Sequence, residues 1–383
     1  MLRIRHDEAR AALPWRVSAD IDLGAVRDNL GLLRSRLRTG CRVIAVVKAD
    51  GYGHGAVQVA RTALAAGAKE LAVADAGEGV RLREAGIEAP IVVVGPSQPD
   101  DAAAIVHHRL RPTVADAEFA RALAAHAQRT VPIEIELDTG MRRHGILHED
   151  AVAFVRSLRV HQHLQLRAVF THFAGLDRTA ILDMRAQWHR FESARNALAG
   201  CGYDVEAHAC NTLATVLLPE AHASAVRIGG GLYGFDSGTG LAGLRPAMTL
   251  KTRVVGVRGA APGDVVGYGA MHRVTRATTL LLLPCGYADG LSRAHWNGKD
   301  VLVRGHRRPI VGQISMNQTV VDGGDLDFEI GDEVVLLGAQ GRERIRAEDR
   351  AAAGCSAYEV TTLLRSDLSR RYLGAEPTTS RLS

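Results

Sequence analysis

The stretch Cys41–Gly55, with the sequence CRVIAVVKADGYGHG, is the most informative for the fold. It contains a predicted buried strand and, directly after that strand, a lysine. The apolar run Val43–Val47 predicts that strand, and Lys48 follows at its carboxyl end. In a barrel of alternating strands and helices, this end is the rim where chemistry takes place. A lysine held there loses its proton more easily than a free one and can bond covalently to carbonyl compounds. The glycines and the tyrosine that follow leave room for a phosphate group. The alternative interpretation is a solvated lysine at a strand end.

Length and composition indicate an ordinary globular protein of two domains. The chain has 383 residues, of which 46% are hydrophobic but only 4% aromatic, so the core is expected to be large and aliphatic. The net charge is +5, and because the basic residues are dispersed we expect no nucleic-acid partner. The five cysteines stand singly, which favours reduced thiols and a cytoplasmic location. No apolar segment predicts a signal peptide or a membrane span.

Eight short apolar runs alternate with helical patterns between about residues 20 and 235. The predicted strands are Val43–Val47, Leu71–Ala74, Ile91–Val94, Arg111–Val114, Ile133–Leu137, Arg167–Thr171, Val205–Cys210 and Ala225–Ile228. Before the first of them, Val26, Leu30, Leu33 and Leu37 share one helical face. Eight strands with helical crossovers predict an α/β fold, a (β/α)8 TIM barrel over residues 19–244 that follows an N-terminal extension, 1–18. A doubly wound open sheet is the alternative.

The pattern changes to strands and turns near Leu244, so residues 245–383 are expected to form a mainly β C-terminal domain. Its predicted strands are Thr249–Val257, Thr278–Leu283, Val301–Arg304, Pro309–Val311, Thr319–Val321 and Glu333–Leu337. The stretch Arg346–Arg371 has a partly helical pattern, and the polar stretch Glu376–Ser383 is expected to be frayed.

Polar residues follow the predicted strands at their carboxyl ends, where a barrel places its catalytic groups. Besides Lys48 they are Arg143 after strand five, His172 after strand six, Asn211 and Thr212 after strand seven, and Arg227 within strand eight, before Gly229 and Gly230. Each has a structural alternative: a surface arginine, a satisfied core histidine or, for Asn211, a helix N-cap. Their convergence on one rim favours a catalytic site.

These residues and their spacing resemble the alanine racemase family, enzymes of fold type III that depend on pyridoxal 5'-phosphate (PLP), from about Ala19 to Tyr372. The resemblance implies that Lys48 holds PLP covalently. The cofactor-binding residues that it implies are Lys48, Tyr52, His172, Asn211, Thr212, Arg227, Gly229, Gly230 and Tyr358. It implies Arg143, Met316 and Tyr287 at the substrate, and a homodimer whose active sites lie at the subunit interface.

The implied reaction is the interconversion of L-alanine and D-alanine by two bases on opposite faces of the α-carbon, which would supply D-alanine for peptidoglycan precursors. Lys48 is one base, and Tyr268 of the partner subunit, in the segment Val266–Gly269, is the other. A phenol with a pKa near ~10 needs nearby positive charge to act as a base at neutral pH. The resemblance also implies that Arg227 faces the pyridine nitrogen of PLP. The charge of Arg227 disfavours protonation of this nitrogen, which favours racemisation over transamination.

Some residues depart from the family pattern. Glu136 stands where many members have a lysine that becomes carbamylated, and we expect its carboxylate to substitute for the carbamate by pairing with Arg143. The alternative is a carboxylate that serves stability only. Arg142 replaces a glycine, and Asn317 replaces the commoner aspartate. Substrate breadth is therefore open.

Other functions compatible with the sequence are a racemase of serine, lysine or arginine, a related PLP decarboxylase, a non-catalytic PLP-binding protein, and a phosphate-binding barrel without PLP. The decarboxylase is disfavoured because its C-terminal cysteine motif has no good match. The non-catalytic alternative is disfavoured by the long β domain that carries Tyr268. No metal site is expected, because the histidines lack paired ligands.

Overall fold

A computed structural model describes residues 16–351 and 356–374. Cys355, the stretch Glu376–Ser383 and nearly all of the predicted extension 1–18 lie outside the described residues. The chain divides into two compact units, a barrel unit over Leu23–Ala247 and a β unit that joins the Ser18–Asp22 strand to Met248–Leu373.

The helices and strands are numbered in chain order. The strands are β1 (Ser18–Asp22), β2 (Arg42–Val46), β3 (Glu70–Val73), β4 (Ile91–Val93), β5 (Arg111–Pro112), β6 (Val131–Asp138), β7 (Ile146–Leu147), β8 (Leu164–Phe170), β9 (Glu206–His208), β10 (Ala225–Ile228), β11 (Met248–Arg253), β12 (Gly256–Ala260), β13 (Val265–Val266), β14 (His272–Arg273), β15 (Thr278–Leu283), β16 (Asp300–Val303), β17 (His306–Val311), β18 (Thr319–Gly324), β19 (Glu333–Gln340), β20 (Glu343–Ile345) and β21 (Ser369–Leu373). The helices are α1 (Leu23–Arg34), α2 (Ala56–Ala65), α3 (Ala76–Glu84), α4 (Ala102–His107), α5 (Ala117–His126), α6 (Ala151–Ser157), α7 (Ile181–Gly200), α8 (Thr212–Leu217), α9 (Arg293–Trp296) and α10 (Ala357–Thr362).

The strands of the barrel unit form a parallel ring. Hydrogen bonds join them in the order β5, β4, β3, β2, β10, β9, β8 and β6, and β7 extends the edge of β6. A parallel bridge between Thr113 and Glu134, with the amide of Val114 donating to the Glu134 carbonyl at 2.8 Å, connects the end of β5 to β6. This bridge closes the ring, which confirms the predicted barrel and excludes the open sheet. The rim at the carboxyl ends of the strands is called the carboxyl rim below.

The helices between the strands bury one apolar face each. On α1 this face includes Val26, Leu30 and Leu33, as the sequence predicts. Leu37 was expected on the same face but lies beyond the end of α1, which is Arg34. Among the described residues, no helix has the length and apolar character that a membrane span requires.

The β unit is built on one large, mostly antiparallel sheet. Its strands follow the order β12, β15, β18, β17, β16, β19, β11, β1 and β21, and β20 pairs with β19. The predicted strand Thr249–Val257 is interrupted and forms β11 and β12.

The start of the barrel differs from the expected residue 19, because β1 pairs with β11 and β21 instead of joining the barrel. The Asp20 carboxylate on β1 accepts two hydrogen bonds from Arg371 on β21, at 2.9 and 2.8 Å, and contacts Lys251 on β11 at 3.2 Å. Ion pairs and backbone pairing together hold β1 in the β unit.

Candidate active site at the carboxyl rim

Lys48 lies at the carboxyl rim, where β2 ends, and begins an unusual turn. The next residues, Ala49 to Tyr52, all have positive φ angles between 50° and 62°, so the segment Lys48–Tyr52 winds as a left-handed turn. This conformation costs about 1–2 kcal/mol for each residue other than glycine. The carboxylate of Glu78 accepts the amide of Ala49 at 2.6 Å, and that of Asp50 accepts the amide of Ala56 at 2.9 Å. These bonds hold the strained turn beside the lysine, and such strain is common at functional sites.

The surroundings of Lys48 favour its neutral amine. Burial lowers the pKa of Lys48, and the positive charges of Arg143 and Arg227 lower it further, whereas Glu78 opposes them. A larger fraction of the amine is therefore unprotonated near neutral pH. An unprotonated amine is both a nucleophile and a base.

A glycine-lined cradle lies next to this turn. A Cβ on Gly229 would lie 2.6 Å from the Tyr52 hydroxyl, so only glycine fits beside the phenol. The Thr212 hydroxyl accepts the amides of Gly229 and Gly231 at 3.3 and 3.2 Å. Gly230 follows in the short turn Gly230–Tyr233 and is buried. Backbone amides and hydroxyls close together are the donors that an anionic phosphate prefers.

Tyr233 was missed as a candidate, although it stands two residues after the last glycine of the run Gly229–Gly231. Its ring packs against the Tyr52 ring with the centroids 4.8 Å apart, and its hydroxyl donates to the carbonyl of Val46 at 2.9 Å. Tyr233 therefore supports the Tyr52 ring and the end of β2. Its position after a glycine run was the signal that could have identified it.

Asn211 has the N-cap role that was its structural alternative. Its side-chain oxygen accepts the amide of Ala214 at 3.0 Å and starts α8. This bond fixes the orientation of the amide at the carboxyl rim, next to Thr212.

Arg227 and His172 form a second part of the site, and they contact each other. Arg227 is 5% exposed, and its guanidinium donates to the carbonyls of Thr171 at 2.7 Å and Ala209 at 3.2 Å. It also donates to Nδ1 of His172 at 3.2 Å. Burial lowers the pKa of His172 to about 3, assisted by the positive charges of Arg227, Arg143 and Lys48. His172 is therefore a neutral imidazole that accepts at Nδ1.

A chain of buried charges extends from Arg227 through the barrel interior, and the sequence analysis missed it. Arg227 donates to Nδ1 of His208 at 2.7 Å, and Nε2 of His208 donates to Glu134 at 2.8 Å. Glu134 also accepts from Arg111 at 3.0 Å, and Arg111 donates to Glu70 at 2.7 Å. The available signal was the alternation of Glu134, Glu136 and Asp138 on β6, since alternate residues of a strand share one face. These contacts fix the tautomer of His208 and hold the Arg227 guanidinium in place.

The expected pair of Glu136 and Arg143 is wrong. The Glu136 carboxylate accepts a hydrogen bond from Nδ1 of His144 at 2.9 Å instead. Arg143 is exposed and has no hydrogen bond or ion pair with the described residues. Arg142 is also exposed, and its guanidinium contacts Asp138 at 3.9 Å. The hydrogen-bond partner of Glu136 is therefore His144, a side chain that the sequence analysis had not considered.

The remaining candidates belong to the β unit. Tyr268 is 74% exposed on the turn Tyr268–Ala270, between Gly267 and Gly269, which both have φ angles of 72°. The amides of Tyr287 and Ala288 donate to the carbonyls of Ser315 and Met316 at 3.1 and 3.0 Å. The structure therefore brings Tyr287 and Met316 together on adjoining loops.

Tyr358 lies in the first turn of α10, after the N-cap Ser356. Asn317, at the end of the Met316 loop, accepts a hydrogen bond from Arg16 through its carbonyl at 2.9 Å. Among the described residues, no three His, Cys, Asp or Glu side chains are grouped as metal ligands.

Because His172 stays neutral in the folded protein, we expect acid to destabilise the protein through this residue. An unfolded histidine has a pKa near ~6.5, so between about pH 3 and 6.5 the unfolded state binds more protons and stability falls as the pH decreases. His172→Gln keeps an acceptor for Arg227 and removes the titration. Between pH 7.5 and 5.0 this variant should lose about 2 kcal/mol less unfolding free energy than the unchanged protein. Urea unfolding at the two pH values measures this difference.

The control is His189→Gln, which changes an exposed histidine on α7. Its unfolding free energy should follow that of the unchanged protein at both pH values. An equal loss in the His172→Gln variant and the unchanged protein would contradict the assignment of a neutral His172.

Comparison with known proteins reveals similarity over both units. Residues 21–237 match the family model described as "Alanine racemase, N-terminal domain", and residues 247–372 match "Alanine racemase, C-terminal domain". The alanine racemase of Symbiobacterium thermophilum is 40% identical over 365 residues, which are 93% of this chain and 97% of that protein.

Solved structures agree with this result. The alanine racemase from Bacillus anthracis with bound L-Ala-P superposes with a TM-score of 0.89 at 32% identity and covers 94% of this chain and 96% of its own. A histidine racemase from Leuconostoc mesenteroides subsp. sake has a TM-score of 0.82 at 26% identity and covers 94% of this chain and 99% of its own. The same architecture therefore occurs in proteins named for two different amino acids.

Proposed function

The chain belongs to the alanine racemase family, and from this premise we propose that it interconverts L-alanine and D-alanine with PLP as its cofactor. The observation that carries the proposal is the half-buried Lys48, whose pKa is lowered, at the carboxyl rim that also bears the glycine-lined cradle. A covalent cofactor requires a reactive amine, and a phosphorylated one also requires an anion cradle. The site has both.

The residues present fit PLP. The Tyr52 hydroxyl, the Thr212 hydroxyl and the backbone of Gly229 and Gly230 would hold the phosphate, where a side chain on Gly229 would collide with Tyr52. When bound, PLP supplies a carbonyl that joins to amines and a conjugated ring that makes the α-hydrogen acidic. Arg227 would face the ring nitrogen, His172 and Asn211 would flank the ring, and Tyr358 would contribute to the phosphate site.

Lys48 has two roles in this proposal. Its amine would hold the cofactor, and the same amine, when free, would move a proton at the α-carbon on one face. The lowered pKa of Lys48 suits both roles, because each requires an unprotonated amine. Arg227 remains charged and His172 remains neutral, so the Lys48 amine is the proton carrier of the barrel unit.

Arg143 would bind the substrate carboxylate. Its guanidinium is exposed and has no partner among the described residues, so it is available for an anion. A guanidinium can donate two parallel hydrogen bonds to a carboxylate. This contact would orient the α-carbon of the substrate between the two bases.

Tyr268 of the partner subunit is proposed as the second base of a homodimer. The β unit exposes several large apolar side chains near this residue in the sequence: Val265 is 51%, Tyr268 74% and Met271 68% exposed. Exposed apolar groups of this size favour an interface with another protein surface. Tyr287 and Met316, at 41% and 56% exposed, would line the substrate entrance from the same subunit as Tyr268.

A cytoplasmic location is proposed because the described cysteines are free thiols. Cys41, Cys201, Cys210 and Cys285 are free, and they are the cysteines that the described residues include. Free thiols in this number favour a reducing compartment.

Chiral chromatography of L-alanine incubated with the purified protein and PLP tests the proposed reaction. We expect an approach to equal amounts of the two enantiomers from either starting enantiomer. Serine, lysine, arginine and histidine are assayed in parallel. Turnover of one of these without alanine turnover would identify a racemase of another amino acid. Cofactor absorbance without any turnover would instead support a non-catalytic PLP-binding protein.

A further inference from the structure

The segment that carries Arg143 is held at both ends by carboxylates of β6. We call residues 139–145 the Arg143 loop. At its start, the Asp138 carboxylate accepts the amides of Gly140 and Arg142 at 2.9 and 3.1 Å. At its end, the Glu136 carboxylate accepts Nδ1 of His144 at 2.9 Å. Arg143 lies between these two anchors, next to His144 in the chain.

The end of the Arg143 loop also approaches the backbone of β6 closely. Gly145 has a φ angle of 91°, and a Cβ there would lie 2.5 Å from the Glu136 carbonyl oxygen and 3.0 Å from the Glu136 Cβ. Only glycine allows the chain to pass this near to the strand. The residue before it, His144, is consequently brought within hydrogen-bond distance of the Glu136 side chain.

Glu136 requires a partner in this environment. Its side chain is 7% exposed, and a buried carboxylate without a hydrogen bond is strongly disfavoured. The His144 side chain is 17% exposed, so the pair is largely removed from water. Charge-assisted hydrogen bonds under these conditions are among the stronger side-chain contacts in proteins.

Arg143 has an exposed side chain, which forms no hydrogen bond or ion pair with the described residues that could fix its direction. The direction of its guanidinium therefore depends on the backbone of the Arg143 loop. The anchors on either side of it are the Arg142 amide, which donates to Asp138, and the His144 side chain, which donates to Glu136.

We propose that His144 is a positioning residue, whose hydrogen bond to Glu136 fixes the Arg143 loop so that Arg143 meets the substrate carboxylate. His144 acts through Arg143 and does not touch the substrate. This inference rests on the proposed function, because it takes Arg143 as the carboxylate-binding residue. It predicts an effect on the binding of carboxylate substrates rather than on proton transfer at Lys48.

The test compares His144→Leu with His144→Gln. Leucine removes the donor, whereas the glutamine amide can still donate to Glu136. We expect His144→Leu to raise the KM for L-alanine about tenfold, a loss of about 1.4 kcal/mol, with kcat within about threefold of the unchanged protein. His144→Gln should recover at least half of this loss on a logarithmic scale. A purely structural role would not separate KM from kcat in this way.

A second readout does not depend on activity. Hydrogen–deuterium exchange followed by mass spectrometry should show faster exchange of the Arg143 loop in His144→Leu than in His144→Gln. The matched control is His148→Leu, which removes the donor of a second His–Glu pair, His148 and Glu149 at 3.1 Å, whose carboxylate is 65% exposed. We expect this control to leave KM unchanged and exchange of the Arg143 loop unaltered.

Glu136→Gln serves as the second variant if His144→Leu fails to fold. It keeps an acceptor for His144 but removes the charge, and we expect a KM increase of about threefold with kcat unchanged. Unchanged KM and unchanged loop exchange in His144→Leu, or a fall in kcat alone, would overturn the proposal. If the unchanged protein turned over no amino acid while loop exchange still rose in His144→Leu, the proposed function would fail and the anchoring role of His144 would stand.

Discussion

Replacing Lys48 by alanine is expected to lower kcat for alanine racemisation by about 10⁴-fold, the largest loss that we expect from any single substitution. The variant loses both the amine that binds the cofactor and the base on one face of the α-carbon. Lys48 is half-buried at the end of β2, and its amine has a lowered pKa because of burial and the charges of Arg143 and Arg227. Chiral chromatography of the reaction from L-alanine measures the rate directly.

The control is Lys69→Ala, which removes an exposed lysine just before β3 and should leave kcat unchanged. The chain has four lysines, Lys48, Lys69, Lys251 and Lys299. Borohydride reduction of the PLP-loaded protein, followed by peptide mass mapping, should therefore place the label on the peptide that contains Lys48 alone. A label on another lysine, or full activity in Lys48→Ala, would refute the assignment.

Barrel strands such as β2, β3 and β4 were predictable because each contains a short apolar run that is almost entirely buried and is bounded by helical patterns. β1 was not predictable by the same argument. Its sequence, SADID, alternates small or apolar residues with acidic ones, and its strand character arises from pairing with β11 and β21, which are distant in the sequence. Strand propensity calculated over a short stretch of sequence contains no information about such distant partner strands. For this reason the barrel starts after β1 and not at the expected residue 19.

The rim residues were predictable for a different reason. In a parallel barrel the strand ends define the site, so Lys48, His172 and Arg227 follow from strand positions alone. The partners of these residues do not follow. The contact of Glu136 with His144 depends on the left-handed conformation of Gly145, and the position of His208 depends on Glu134 across the barrel. Partners of charged groups are set by three-dimensional packing, and a single sequence does not specify it.

Tyr268→Phe is expected to lower kcat for alanine racemisation about 10³-fold, while proton transfer on the Lys48 face of the α-carbon is retained. The phenylalanine ring keeps the shape of the tyrosine but cannot carry a proton. If Tyr268 of the partner subunit serves one face of the α-carbon and Lys48 the other, the Lys48 face remains functional in this variant. In D₂O, the α-hydrogen of one enantiomer of alanine should therefore exchange with solvent at a substantial rate, whereas that of the other should not. Proton NMR of each enantiomer measures this exchange.

This asymmetry distinguishes a second base from a residue that only shapes the site. Loss of shape would slow exchange of both enantiomers together, and a single base serving both faces would leave both exchanging. Tyr203→Phe is the matched control, since Tyr203 is a half-buried tyrosine between α7 and β9 of the barrel unit, away from the carboxyl rim. It should racemise alanine at the unchanged rate and exchange both enantiomers. Equal exchange of the two enantiomers in Tyr268→Phe would contradict the role of Tyr268 as the base of one face, because loss of such a base slows exchange only of the enantiomer whose α-hydrogen it removes.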